Sequence, residues 1–127
     1  MMSPLFRRNE EKAARKAAAR AEIERLRALS VDDLAADLLV GLGPDGPTRG
    51  TSVRVQQLCQ YLLRDYPGAG QMDTLDLSAP VNRALDRLEG VGLVSPISVQ
   101  RTPVWRITPL GESTLAEGDV RDRLRGR

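Results

Sequence analysis

The chain has 127 residues, the size of one ordinary domain with an appended arm, and its 41% hydrophobic and 28% charged residues are those of a folded protein, not a disordered one. Aromatic residues make up only 3%, so the core has to be built from Leu, Val, Ala and Ile. Histidine is absent and Cys59 is the single cysteine, which removes the commonest general base, the commonest transition-metal ligand, any intramolecular disulfide and any cysteine-built zinc site. The expectation is a protein that is not an enzyme and that carries no catalytic residue, metal or cofactor.

The pI of about 9.1 invites a polyanionic partner, yet the net charge is only +2, so placement matters more than the total. Residues 1–30 hold eight Lys/Arg against four Glu, residues 31–100 hold five Arg against nine acids, and residues 101–127 hold six Arg against four acids. The two ends are basic and the middle is acidic. No apolar run reaches bilayer length, and "MMSPLFRRNEEKAARKAAAR" lacks the apolar centre of a secretory signal, so the chain is expected to be cytoplasmic, with no membrane partner.

From Glu10 to Leu29 a stretch rich in Ala, Arg, Lys and Glu, free of Gly and Pro, predicts a helix whose large apolar residues, Ile23, Leu26 and Leu29, fall at its end. Residues 1–29 are therefore expected to form a basic, Ala-rich arm, with Glu10 and Glu11 on a solvated face. A second helix is predicted from "SVDDL", capped by Ser30, with Asp32 and Asp33 in its first turn and Leu34, Leu38 and Leu39 as its buried stripe. "GLGPDGPTRGTS" ends it. Its glycines imitate a phosphate-binding loop, but no Lys-Ser/Thr pair follows the last of them, and that pair gives the motif its mechanism.

A third helix is predicted from about Ser52 to Asp65, with Val55, Leu58, Cys59, Leu62 and Leu63 recurring at three and four, which makes Cys59 a packed thiol. After the terminator "YPGAGQ" and a "MDTLDL" link, Ser78 is expected to cap a fourth helix running to Glu89. Val81, Ala84, Leu85 and Leu88 would face inward, and Asn82, Arg83, Asp86, Arg87 and Glu89 outward. Leu93–Val99 and Val104–Thr108, joined by "QRTP", predict a hairpin with Arg101 near its tip, in which Trp105 and Ile107 share one face and Val104 and Arg106 the other. Trp105 is read as a plug sealing the ribbon onto the helices, the alternative being a base-stacking platform. "TPLGEST" opens a last helix, and residues 118–127 are expected to be a charged C-terminal tail.

The order helix, short segment, helix, helix, strand, strand, with "LDRLEGVGLV" followed by "VWRITPLGESTL", resembles the winged-helix family of helix-turn-helix domains. The resemblance spans roughly residues 31–117 and is most specific from Leu77 to Leu115. It implies a mainly α fold with a small β-hairpin (α+β), a winged-helix domain over 30–117 behind the long Ala/Arg-rich helix. It also implies that helix 78–89 enters a major groove of double-stranded DNA while the wing touches backbone or minor groove. Carried onto this sequence, Asn82, Arg83 and Arg87 would meet base edges and phosphates, Arg101 would stand at the wing tip, and Gln100 and Thr102 would add neutral backbone contacts.

Two readings follow. In one the chain is a small DNA-binding protein, a transcription regulator or nucleoid-associated factor, bound as a homodimer to two half-sites, its basic arm and tail supplying nonspecific phosphate attraction. In the other it is a winged-helix protein-interaction module that docks a basic protein partner through its acidic helical face and the 65–76 loop, without binding DNA. As residues alone, Asn82, Arg83 and Arg87 read first as the hydrated side of a helix, and it is the resemblance that sets the DNA reading level with this one.

Overall fold

A computed structural model describes residues 4–99 and 102–125, with side chains over 7–97 and 103–125. Of the described side chains of its first helix, α1 (Pro4–Ala28), those of Ala19, Ile23 and Leu26 are buried, one stripe in its C-terminal half, and residues 7–18 are exposed. Two devices hold it to the body. Gly68 lies so close that a Cβ there would stand 2.4 Å from the Arg15 carbonyl carbon, and Arg20 bonds Asp76 at 2.6 Å. No described helix is long and apolar enough to cross a membrane.

Ser30 caps α2 (Val31–Leu42) as its residue type predicts, accepting from the Asp33 N–H at 3.1 Å. Leu34, Leu38, Leu39 and Leu42 form the buried stripe of this helix and pack along α5 (Ser78–Gly90), which presents Val81, Ala84, Leu85 and Leu88. Each such leucine contributes about 2 kcal/mol by leaving water. α3 (Val55–Leu62) closes the third side with Leu58, Cys59 and Leu62. It starts later than the sequence suggests because Val53 is extended, its N–H donating to the Trp105 carbonyl at 2.8 Å and its carbonyl accepting from Trp105 at 2.7 Å.

The "MDTLDL" link is itself helical, α4 (Gln71–Asp76), started by the Asp73 carboxylate accepting from the Gly70 N–H at 2.8 Å. Leu77 keeps helical backbone angles (φ −89°, ψ −9°), so α4 runs almost directly into α5, and Ser78 lies inside the helix rather than capping it. An extended residue was needed for a cap, and the chain has none there.

Gly92, at φ 80°, turns α5 into β1 (Val94–Val99), which pairs antiparallel with β2 (Thr102–Ile107). The register sets Val94 opposite Ile107, Pro96 opposite Trp105 and Ser95 opposite Arg106. Trp105 and Ile107 are buried on the core side as predicted; Val104, on the other face, is buried as well. The strands extend to Val99 and Thr102, so the connection is shorter than "QRTP", and Gln100 and Arg101 lie outside the described residues.

Thr108 then caps α6 (Pro109–Glu117), accepting from the Gly111 N–H at 3.0 Å. A Cβ on Gly111 would sit 2.1 Å from the Leu93 carbonyl oxygen, so only glycine allows this approach. The segment read as a charged tail holds α7 (Val120–Leu124) instead: Val120 and Leu124, one helical turn apart, are buried in the core, leaving its arginines to solvent and to α2.

Candidate nucleic-acid interface

The outward face of α5 is where the sequence places its contact residues, and Asn82, Arg83, Asp86, Arg87 and Glu89 are all exposed there. Helical periodicity produces this directly, because Pro80, Val81, Ala84, Leu85 and Leu88 take the buried positions between them.

Their engagements differ. Asn82 Nδ2 donates to the Ser78 carbonyl at 2.9 Å, one turn back along its own helix. Arg83 joins none of the ion pairs or side-chain hydrogen bonds found among the described residues. Arg87 is committed: Nε donates to Asp32 Oδ1 at 3.2 Å, and a terminal nitrogen donates to the Leu124 carbonyl at the end of α7. Beside it Arg121 on α7 bonds Asp33, and that bond, with a smaller one from Ser30, holds the Asp33 carboxyl below the usual carboxylate range. The sequence could not reveal this tie, since Arg87 and Asp32 are 55 positions apart.

With Arg87 balanced by Asp32, the α5 face carries one uncompensated positive charge, Arg83, among the carboxylates of Asp86 and Glu89. Further positive charge has to come from the hairpin. Arg106 is exposed on its outer face opposite Ser95. Of the predicted wing residues, Thr102 begins β2 with its side chain outside the described part, and Gln100 and Arg101 lie outside the described residues. Helix and hairpin are held together by a backbone bond, Leu93 N–H to the Leu88 carbonyl at 3.0 Å, and by the Thr108 hydroxyl, which donates to the Gly92 carbonyl at 2.6 Å.

A second surface lies on α4, where Met72 is 72% and Leu75 58% exposed. The sequence concealed it because a six-residue helix has too few positions to show a period. Cys59 contributes to neither surface; burial pushes its thiol up to about 11. Among the described residues no group of three or more Cys, Asp or Glu side chains is placed to hold a metal ion. Compared with protein-family models, with curated proteins and with solved structures, the chain matches none.

Proposed function

We propose that this chain is a winged-helix DNA-binding protein, a transcription regulator or nucleoid-associated factor, in which α5 presents Asn82 and Arg83 to a groove and the hairpin presents Arg101 and Arg106 to backbone. The observation that carries this reading is the bridge between Val53 and Trp105. It adds a third extended segment beside β2, so the chain reads helix α2, extended Val53, helix α3, the short α4, helix α5, then the hairpin; with α4 as an insertion, this is the order on which the resemblance rests. Arg83 is the side chain suited to gripping a guanine edge or a phosphate, because its guanidinium is not spent on a carboxylate. Arg87 stands apart as a clamp between α2, α5 and α7.

The test is a fluorescence-anisotropy titration with mixed genomic duplex at two salt concentrations, comparing the natural chain with an Arg83→Ala, Arg101→Ala, Arg106→Ala triple variant. Salt-sensitive binding is expected. The variant should weaken it, and each phosphate that is no longer neutralised should reduce the slope of log affinity against log salt by about 0.9.

The exposed Met72 and Leu75 favour a second reading, a module that docks a protein through the 65–76 segment. Absence of duplex binding even at low salt rejects the DNA reading and leaves this one standing.

A further inference from the structure

Between the 43–52 loop and α6 lies an open cleft of about 380 Å³, separate from the α5 face and from α4. Pro44, Leu115 and Ala116 give it an apolar wall, and Arg49, Asp45 and Glu112 give it charge of both signs. None of these three charged groups joins an ion pair among the described residues, so they share the cleft without neutralising one another at short range.

The loop is built to hold Arg49 where it is. Arg49 has φ 53°, the one positive-φ residue other than glycine among those described, and Gly50 follows at φ 85°. An L-residue rarely takes this conformation unless its surroundings impose it, and such residues cluster at ligand sites. Here the surroundings are firm: Arg49 N–H donates to the Gly46 carbonyl at 3.1 Å, while Thr48 and Thr51 exchange hydroxyl-to-carbonyl bonds at 3.1 and 2.6 Å. Gly46 is pressed so tightly on the last turn of α2 that a Cβ would lie 1.9 Å from the Gly41 oxygen. On the other side, Gly43 approaches Leu115 to a distance that only a glycine tolerates without a shift, a Cβ there meeting its Cδ2 at 2.6 Å.

We propose that this cleft binds a small zwitterion, an aliphatic α-amino acid. Arg49 receives the carboxylate in a bidentate grip, Asp45 and Glu112 receive the ammonium, and Pro44, Leu115 and Ala116 cover the side chain. A simple anion would meet two carboxylates and a simple cation would meet Arg49, so a ligand carrying both charges suits the lining best. The volume is near the small end of ligand sites, and the open mouth implies affinity of roughly millimolar order. The proposal does not depend on DNA binding.

Titration of the full chain with leucine, followed by backbone amide resonances, tests it. Saturable shifts confined to residues 44–50 and 112–116 are expected. N-acetylleucine lacks the ammonium and leucinamide lacks the carboxylate, and each should bind at least about tenfold more weakly. Arg49→Gly suits the left-handed backbone and removes the guanidinium, so it should keep the fold and lose the shifts; Glu112→Gln, an exposed change, should weaken them. No saturable shift up to about 50 mM leucine overturns the proposal, as does equal binding of either singly charged derivative or unchanged binding by Arg49→Gly.

Discussion

Arg87, in the last turn of α5, and Asp32, in the first turn of α2, are bonded Nε to Oδ1 at 3.2 Å. Each also complements its own helix end, the carboxylate at a positive N-terminus and the guanidinium at a negative C-terminus, and the Leu124 carbonyl takes a second Arg87 donor. Arg87 and Arg83, alike in sequence as outward arginines of one helix, are thereby separated into a clamp and an unengaged group. Arg87→Ala should lower unfolding free energy by about 1 kcal/mol, since it removes a half-exposed ion pair and a charged bond to a carbonyl. Arg83→Ala should stay within about 0.5 kcal/mol of the natural chain. Urea unfolding of the two variants separates these outcomes, and equal losses would show that the clamp carries no weight.

The neighbouring pair, Arg121 with Asp33, sets a pH dependence. The folded state depresses the Asp33 carboxyl, chiefly through the Arg121 bond, so its contribution is present above the ordinary carboxylate pKa. It is lost as pH falls through the depressed value. Arg121→Ala should therefore be less stable than the natural chain at pH 6, and the gap should close as both proteins are taken towards about pH 2. Paired thermal melts across that range check it, and a gap that stays constant with pH would assign the loss to packing of α7.

Cys59 gives the opposite sign at the alkaline end. Burial among the α3 and α5 side chains pushes its thiol up to about 11, with a smaller opposing effect from a Ser78 bond. The unfolded chain ionises first, near 8.5. Stability is therefore undiminished below that value and falls as pH rises towards the folded value, by on the order of 3 kcal/mol in all. Cys59→Ala should be less stable at pH 7 because it leaves a small void, yet flatter between about pH 9 and 11. The comparison is made by urea unfolding at several pH values. At pH 8 a disulfide reagent should label the natural chain only as fast as the core opens.

Much of this fold is legible in the sequence wherever a period or a cap is long enough to be read. Ser30 with its acidic first turn fixed the start of α2, three- and four-residue spacing fixed the inner faces of α3 and α5, and the alternation through Trp105 and Ile107 fixed the core side of the hairpin. Short elements escaped. α4 exposes both its large apolar residues, and α7 buries just Val120 and Leu124 within a charged run. Of the site, helical phase alone placed Asn82, Arg83 and Arg87 outward, but only the tertiary fold decides which of two outward arginines is bound to a carboxylate. The left-handed Arg49 had no signal either, because turns of that kind are ordinarily marked by Gly or Asn.

Two glycines separate close packing from mere chain composition. Gly68 faces the backbone of α1, where a Cβ would stand 2.4 Å from the Arg15 carbonyl carbon and 2.5 Å from its oxygen. Backbone cannot step aside as a flexible side chain can, so Gly68→Ala has to push α1 off the turn before α4, and a loss of about 1 to 3 kcal/mol is expected. The Arg20 bonds to Asp76 and Asp73 would be strained by the same displacement. Gly90, at the end of α5, has nothing within 4 Å of the place a methyl would take and no positive φ, so Gly90→Ala should be neutral or stabilising by up to about 1 kcal/mol. Limited trypsin digestion reads the difference locally. Cleavage after Arg15, Lys16 and Arg20 should accelerate in Gly68→Ala and remain at the natural rate in Gly90→Ala, whereas unchanged digestion of both would mean that α1 is not anchored through the Gly68 contact.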